Sequence, residues 1–430
     1  MTHGIAKKPP SRCGPLCPLA EGPSQLNPEG KLRFCLAMRV PLLDLSAQYQ
    51  ALAGPIRRQI DEVFQTQRFI LGPRVEQFES ALCDYTGAKF AVGVSSGTDA
   101  LLAVLMALEI GPGDAIITSP YSFFATAACI ARVGATPLFV DIDPATFNIS
   151  AAALRSFIEK NCQQTDGVLM TRERQAIRLI VPVHLFGLCC EMDAIMEIAR
   201  EFELLVIEDA AQAIGAGYPQ TSAIGSAGTI GDVGCFSFYP SKNLGAAGDA
   251  GAIICDNENL ATRIRTCRQH GMEPRYHHRF IGGNFRLDEL QAAILQVKLP
   301  YLANWSTARR AAADFYREEF SRRKLGDSIV LPFEPYRERI DNHHIYHQFV
   351  IRAEARDKLR AHLTRSEIGT EIYYPVPLHL QECFFYLGYK KGDLPEAERA
   401  AAETLALPIY PELSREAQRF VVDKIAEFYG

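Results

Sequence analysis

From Val40 onward, short apolar runs alternate with longer stretches in which apolar residues recur every three or four positions. Runs of four to six apolar residues bounded by Gly, Ser, Thr or Asp predict buried strands. On that basis strands are expected at Phe90–Val94, Ala115–Thr118, Thr136–Val140, Leu179–Val183, Leu204–Glu208, Gly234–Phe238 and Ala252–Cys255. The helical spacing predicts a helix through Ile56, Ile60, Val63 and Phe64, and a second from Pro73 to about Tyr85. It further predicts Asp99–Leu108, Ala125–Val133, the stretch LDELQAAILQVKL, Leu302–Phe320 and Asp357–Ser366. Strands that read as continuous apolar runs, separated by helices, imply a mainly parallel sheet covered on both faces, hence an α/β fold. From Ile329 the glycines thin out and the pattern changes to HHIYHQFVIR and IYYPVPLHL, which predicts a smaller C-terminal α+β domain.

Residues 1–37 lack this periodicity and are rich in Pro, Gly, Ser and Lys. They are expected to be a disordered extension. No continuous apolar segment follows their basic start, so no secretory signal is expected. The expected organisation is therefore an extension over 1–37, a large domain over 38–300 and a small one over 301–430.

Composition narrows the class of protein. The 430 residues are 48% hydrophobic and 22% charged, as in an ordinary globular enzyme, and can bury a large core. A net charge of −5 gives no general attraction to nucleic acid or anionic membrane, and no apolar run reaches membrane-spanning length. The 12 cysteines are scattered, mostly inside apolar segments, which suits reduced thiols in a cytoplasm. Cys189-Cys190 and the Cys13/Cys17 pair lack companions at zinc spacing, so no metal site is expected.

Ligands of parallel sheets bind beyond the carboxyl ends of the strands. Four such ends carry suggestive chemistry here. Ser95-Ser96-Gly97-Thr98-Asp99 joins a strand to a helix N-terminus, where backbone N–H groups attract a phosphate. Simple capping by Thr98 or Asp99 is the plainer reading of the same residues. Phe123 and Phe124 follow a second strand, and one could lie against a planar ring. Asp209 ends a third, where an apolar surrounding demands a cationic partner, either an arginine or a protonated ring nitrogen. Lys242 follows a fourth, between Ser241 and Asn243 and ahead of Gly245, Gly248 and Gly251. A lysine beside so much open backbone could form a Schiff base with a carbonyl cofactor. A phosphate cradle, a stacking aromatic, a carboxylate and a lysine together match pyridoxal 5′-phosphate (PLP), whose ring is an electron sink when its nitrogen is protonated.

The motifs SSGTDAL, FFATA, VDIDPATFNI, PVHLFG, VIEDAAQAIGA, FSFYPSKNLGAAGDAGAI, GGNFRLDELQAAIL and YYPVPLHL occur in that order. The chain from about Val40 resembles the DegT/DnrJ/StrS family of sugar aminotransferases. The resemblance implies the type I (aspartate aminotransferase) PLP fold. It makes Lys242 the Schiff-base lysine, Asp209 the partner of the pyridine nitrogen, and Gln212 a neighbour of the ring's 3-hydroxyl. Gly97, Thr98 and Ser237 would contact the phosphate and Phe123 would stack on the ring. Asn284 would reach the phosphate of a neighbouring subunit, implying a homodimer with shared active sites. His184 resembles a histidine near the cofactor and could equally be a satisfied core histidine. Relatives with His at the lysine position act as dehydratases, so Lys242 points to transamination, from L-glutamate to a nucleotide-linked keto-sugar. The segment MEPRYHHRFIGGN is similar to that of enzymes aminating UDP-linked 3-keto sugars, including uronic acids. Arg275, Tyr276, His277 and His278 would there meet a carboxylate or diphosphate, unless they form a solvated loop. Tyr374 and His379 could close over the nucleotide sugar. A dTDP-sugar substrate, a dehydratase and a regulator without catalysis are the alternatives.

Overall fold

The computed structural model describes residues 38–220 and 224–430, together with two short paired strands, Gln25–Leu26 and Leu32–Arg33. The expectation of disorder over 1–37 otherwise lies outside the described residues. Arg39 to Gly430 form one compact unit.

The main sheet holds seven strands in a continuous path: β1 (Phe90–Val94), β2 (Asp114–Thr118), β3 (Thr136–Phe139), β4 (Ala176–Val181), β5 (Leu205–Asp209), β6 (Val233–Ser237) and β7 (Gly251–Cys255). Their spatial order is β1-β7-β6-β5-β4-β2-β3. All are parallel except β7, which runs antiparallel to both β1 and β6. A hairpin, Cys162–Thr165 with Val168–Thr171, extends the sheet beside β4. The strand pattern read from sequence is therefore the one observed, with ends shifted by up to three residues.

Alternate residues of each strand feed two separate cores, as a sheet buried on both faces requires. Ala115 and Ile117 join Phe236 and Ile254 on one side, against helices Pro73–Thr86, Met192–Glu201 and Glu289–Lys298. Ile116 joins Cys235 and Ile253 on the other, against helices Gly97–Ala107 and Glu258–Cys267. Neither face is free for solvent, so the apolar runs show no polar alternation. All the cysteines among the described residues are free thiols.

The C-terminal part holds helix Leu302–Arg322 and a three-stranded antiparallel sheet of Ile329–Val330, Phe349–Ala353 and Thr404–Leu407. Helices Arg356–Arg365, Pro395–Glu403 and Arg415–Tyr429 complete it. Val40 pairs with Ile368, which ties the segment around Val40 to this part. Among the described residues no helix is long and apolar enough to cross a membrane.

Candidate active site

The carboxyl ends of β1, β5 and β6 lie side by side, because β7 bridges β1 to β6. The connection from β6 back into antiparallel β7 is the Lys242 loop. This reversal of direction places a lysine at the same edge of the sheet as the parallel strand ends.

At the end of β1 the helix Gly97–Ala107 begins. Its cap is Ser96, whose Oγ accepts from the Asp99 N–H at 3.0 Å, rather than Thr98 or Asp99. Ser95 Oγ donates to Asp99 Oδ2 at 2.6 Å and holds that carboxylate away from the helix start. The N–H groups of Gly97 and Thr98 find no partner among the described residues. They are the orphan donors of a helix N-terminus, with the positive end of its dipole behind them. Gly97 also lies against Ser237: a Cβ there would stand 2.6 Å from the Ser237 Cβ. Gly97 and Ser237 thus lie side by side at the start of this helix, and glycine is required for the close approach.

Glu208 and Asp209 close β5, and the pleat sends them to opposite faces. Glu208 is fully buried and accepts from the N–H groups of Gly228, Ile230 and Gly231 at 2.6–2.8 Å. Its remaining partner is His184, at 2.7 Å. His184 Nδ1 accepts from the Cys190 N–H at 3.1 Å, so the ring carries its proton on Nε2, toward Glu208. His184 is 0% exposed with both nitrogens engaged. These contacts are those of the satisfied core histidine, one of its two expected readings, and they brace the strand end from behind.

Asp209 faces the other way. Its Oδ2 accepts from Thr126 Oγ1 at 2.7 Å and its Oδ1 from the Ala211 N–H at 3.2 Å. Burial raises its pKa above the usual carboxylate range, while the Thr126 and Ala211 donors and the charge of Lys242 oppose that rise. Burial also lowers Lys242, to about 8, with Asp209 again opposing. Amine and carboxylate thus act on one another's charge. Asn243 anchors the lysine loop by donating from Nδ2 to the Ile345 carbonyl at 3.0 Å.

One turn past Asp209, Gln212 is held at both ends of its amide. Oε1 accepts from the Phe186 N–H at 2.7 Å and Nε2 donates to Tyr374 Oη at 3.1 Å. The Tyr374 ring centroid stands 6.1 Å from that of Phe123, which is 58% exposed. Tyr374 therefore groups with Gln212 and Phe123. His379 is fully buried and pairs through Nε2 with Glu398 at 3.2 Å. In this structure it is an interior residue.

The remaining residues lie apart. Asn284 is exposed, in a backbone bridge with Gln269. Residues 273–279 form an exposed turn braced by itself: Glu273 N donates to the His277 carbonyl at 2.7 Å, and Arg279 pairs with Glu273 at 3.2 Å. Arg275 lies over the Tyr276 ring, 4.8 Å from its centroid, and Tyr276 is 75% exposed. His278 Nδ1 meets the His270 carbonyl at 2.9 Å. Among the described residues no hydrogen bond or ion pair joins this turn to Asp209, Gln212 or Lys242. Sequence reasoning missed Thr126 and Glu208. Thr126 stands in the FFATA motif, but its partner is 83 residues away.

A cradle of free N–H groups at a helix start, a recessed amine, a buried carboxylate and an exposed aromatic are the parts of a type I PLP enzyme, and they fit that cofactor. The chain belongs to the DegT/DnrJ/EryC1/StrS aminotransferase family, whose model matches residues 51–426. It is 47% identical over 393 residues to a pleiotropic regulatory protein of Geobacillus stearothermophilus, covering 91% of this chain and 99% of that one. It is 40% identical to a UDP-N-acetyl-3-dehydro-α-D-glucosamine 3-aminotransferase of Acidithiobacillus ferrooxidans, covering 88% and 94% of the two chains. It is 37% identical to a UDP-2-acetamido-2-deoxy-3-oxo-D-glucuronate aminotransferase of Pseudomonas aeruginosa, covering 87% and 96%. Among solved structures it resembles a DegT/DnrJ/EryC1/StrS aminotransferase from Brucella abortus, with a TM-score of 0.82, 36% identity, and coverage of 91% and 100%. It also resembles the Bacillus subtilis protein ntda with bound cofactor PMP, with a TM-score of 0.77, 30% identity, and coverage of 90% and 85%. The chain is a PLP-dependent aminotransferase of the type I fold.

Proposed function

We propose that the protein transfers the amino group of L-glutamate to a UDP-linked 3-keto sugar in amino-sugar or surface-polysaccharide biosynthesis. The observation that carries this reading is the meeting of Lys242, Asp209 and the Gly97–Ser237 cradle at neighbouring strand ends. The acceptor is drawn from the two UDP-3-keto-sugar relatives, which cover nearly the whole chain.

In this reading the cradle N–H groups and Ser237 hold the phosphate, and Lys242 Nζ holds the aldehyde. Bound PLP supplies a protonated ring that delocalises the electron pair left when the donor's α-C–H bond breaks. Lys242 Nζ, whose pKa burial lowers to about 8, would take that proton and return it at the cofactor's C4′ atom. Asp209 keeps the ring nitrogen protonated. Phe123 and Tyr374 cover the ring, and Gln212 sits at its 3-hydroxyl side. The same residues then act in reverse on the keto-sugar. Arg275, Tyr276, His277 and His278 are read as contacts to that sugar. Asn284 is read as reaching the phosphate of a second copy, in a cytoplasmic homodimer. The division into domains at residue 300/301 is kept as part of the proposal, supported by the separate antiparallel sheet of the C-terminal part.

The test is turnover of purified protein with L-glutamate and UDP-3-keto-N-acetylhexose or its uronic acid, with dTDP-keto sugars as controls. Formation of 2-oxoglutarate and an amino sugar with ping-pong kinetics supports the proposal. A glutamate-silent spectrum points to a regulator. Loss of water from the sugar without amination points to a dehydratase.

A further inference from the structure

We propose that Thr126, backed by Ser122, is a positioning residue that orients the Asp209 carboxylate and keeps it charged for its role at the cofactor ring. The inference rests on the reading of Asp209 as the ring-nitrogen partner.

The backbone of Asp209 is locked. Its N–H donates to the Pro182 carbonyl at 2.9 Å, and its carbonyl accepts from the His184 N–H at 3.0 Å. The carboxylate itself has only two protein donors. The bond from Thr126 is the shorter, at 2.7 Å, against 3.2 Å from Ala211. A hydroxyl has one proton. Thr126 Oγ1 also stands 3.4 Å from the Phe123 carbonyl and 3.1 Å from Ser122 Oγ. The short contact to a charged acceptor takes the proton. Ser122 is then the donor to Thr126, and the two hydroxyls form a chain ending on the carboxylate. Such chains strengthen each member in a water-poor interior, and both residues are buried.

The plainer role for Thr126 would be to satisfy the first turn of the helix Ala125–Arg132, but that contact is the longest of the three. Removing the hydroxyl would leave a buried carboxylate with one weak donor. Burial already favours its neutral form, and a neutral carboxyl holds the ring proton poorly. The titratable groups facing Asp209 are Lys242, Tyr374, Cys129 and Cys235, of which only Lys242 favours its charge, while His184 lies behind the strand with Glu208. The turn that carries Phe123 thus also sets the carboxylate, so ring cover and ring charge share one short segment.

The test uses the holoenzyme with ¹⁵N-labelled PLP. Thr126→Val keeps the shape and removes the hydroxyl, Thr126→Ser restores it, Ser122→Ala shortens the chain, and Asp209→Asn is the control. Thr126→Val should move the ring ¹⁵N signal toward the neutral form. It should slow the single-turnover reaction with L-glutamate by roughly 10- to 150-fold, the range for losing a bond to a charged group. The glutamate KM should stay within about threefold. Thr126→Ser should restore both signal and rate, and Ser122→Ala should shift both in the same direction by less. A Thr126→Val enzyme with an unmoved ¹⁵N signal overturns the inference, as does a Thr126→Ser enzyme as slow as the valine variant. If Thr126→Val does not fold, an unmoved signal in Ser122→Ala overturns it instead. A fully active Asp209→Asn enzyme would remove the reading of Asp209 itself. A crippled Asp209→Asn beside a normal Thr126→Val removes only the inference drawn from Thr126.

Discussion

The strand-end site and the 273–279 turn differ in how much of the chain specifies them. At the strand ends the side chains of Asp209, Gln212 and Asn243 have partners from distant elements. Asp209 is set by Thr126, Gln212 by Phe186 and Tyr374, and the lysine loop by Ile345 through Asn243. The 273–279 turn is held by contacts among its own few residues and by the His270 and Gly271 carbonyls, and it shows its polar groups to solvent. A site that handles the same cofactor in every reaction gains from being prepared in advance. A surface that must read one sugar among many can vary freely on a self-braced loop without disturbing the core. In the proposed reading the cross-braced strand ends carry the chemistry and the self-braced turn carries the specificity.

The comparison would break most plainly at Lys242. Lys242→Ala should abolish turnover with glutamate while the far-UV spectrum and melting midpoint stay near those of the parent protein. An active, glutamate-responsive variant would overturn the assignment of the whole site. Asp209→Asn comes next. It should still bind PLP through the cradle but lose several orders of magnitude in single-turnover rate, because a neutral ring nitrogen is a poor electron sink. A rate within about threefold of the parent, or roughly 0.7 kcal/mol on the barrier, would remove Asp209 from that role.

The same contrast explains what was legible in the sequence. Strands buried on both faces read as unbroken apolar runs, so β1 to β7 could be placed from pattern alone. The cofactor residues stand just past those runs among glycines, within ordered motifs. The polar hairpin Cys162–Thr165 and Val168–Thr171 has no such run and went unread. So did the helix Met192–Glu201, although its apolar residues recur at helical spacing. Thr126 and Glu208 act through partners far away in sequence, which no local spacing announces. His184 shows the converse difficulty, since its motif left two readings open. Its motif suggested a ligand contact, but the pairing with Glu208 and the Cys190 N–H that accounts for it exists only in the folded chain.

The exposed turn should give smaller and substrate-dependent effects. Arg275→Ala or His278→Ala should lower kcat/KM for a UDP-3-keto uronic acid by roughly 10- to 150-fold, as expected when one contact to a charged group is lost. The loss with a neutral 6-hydroxyl analogue should be much smaller, and the glutamate half-reaction should be nearly unchanged. Equal losses with acidic and neutral sugars would mean that the turn reads the diphosphate. No loss with either would make it a solvated loop.

The smallest expected effect concerns how dry the lysine is. Burial holds the Lys242 amine at about 8, below the ordinary lysine value of 10.5, and Asp209 pulls it partly back. Only the neutral amine can attack the aldehyde of added cofactor. In the cofactor-free protein the rate of PLP capture should therefore rise by about tenfold per pH unit up to about 8 and level off beyond it. A solvent-exposed lysine would go on accelerating toward 10.5. The direction of the Asp209 effect gives a second check. The carboxylate stabilises the charged amine, so Asp209→Asn should move the break in the profile to lower pH. Stopped-flow absorbance between pH 6 and 10.5 measures both. A capture rate that keeps rising past pH 10 would mean that water reaches Lys242 as freely as it reaches the 273–279 turn. The distinction between a prepared, desolvated site and an open loop would then fail at the residue that defines it.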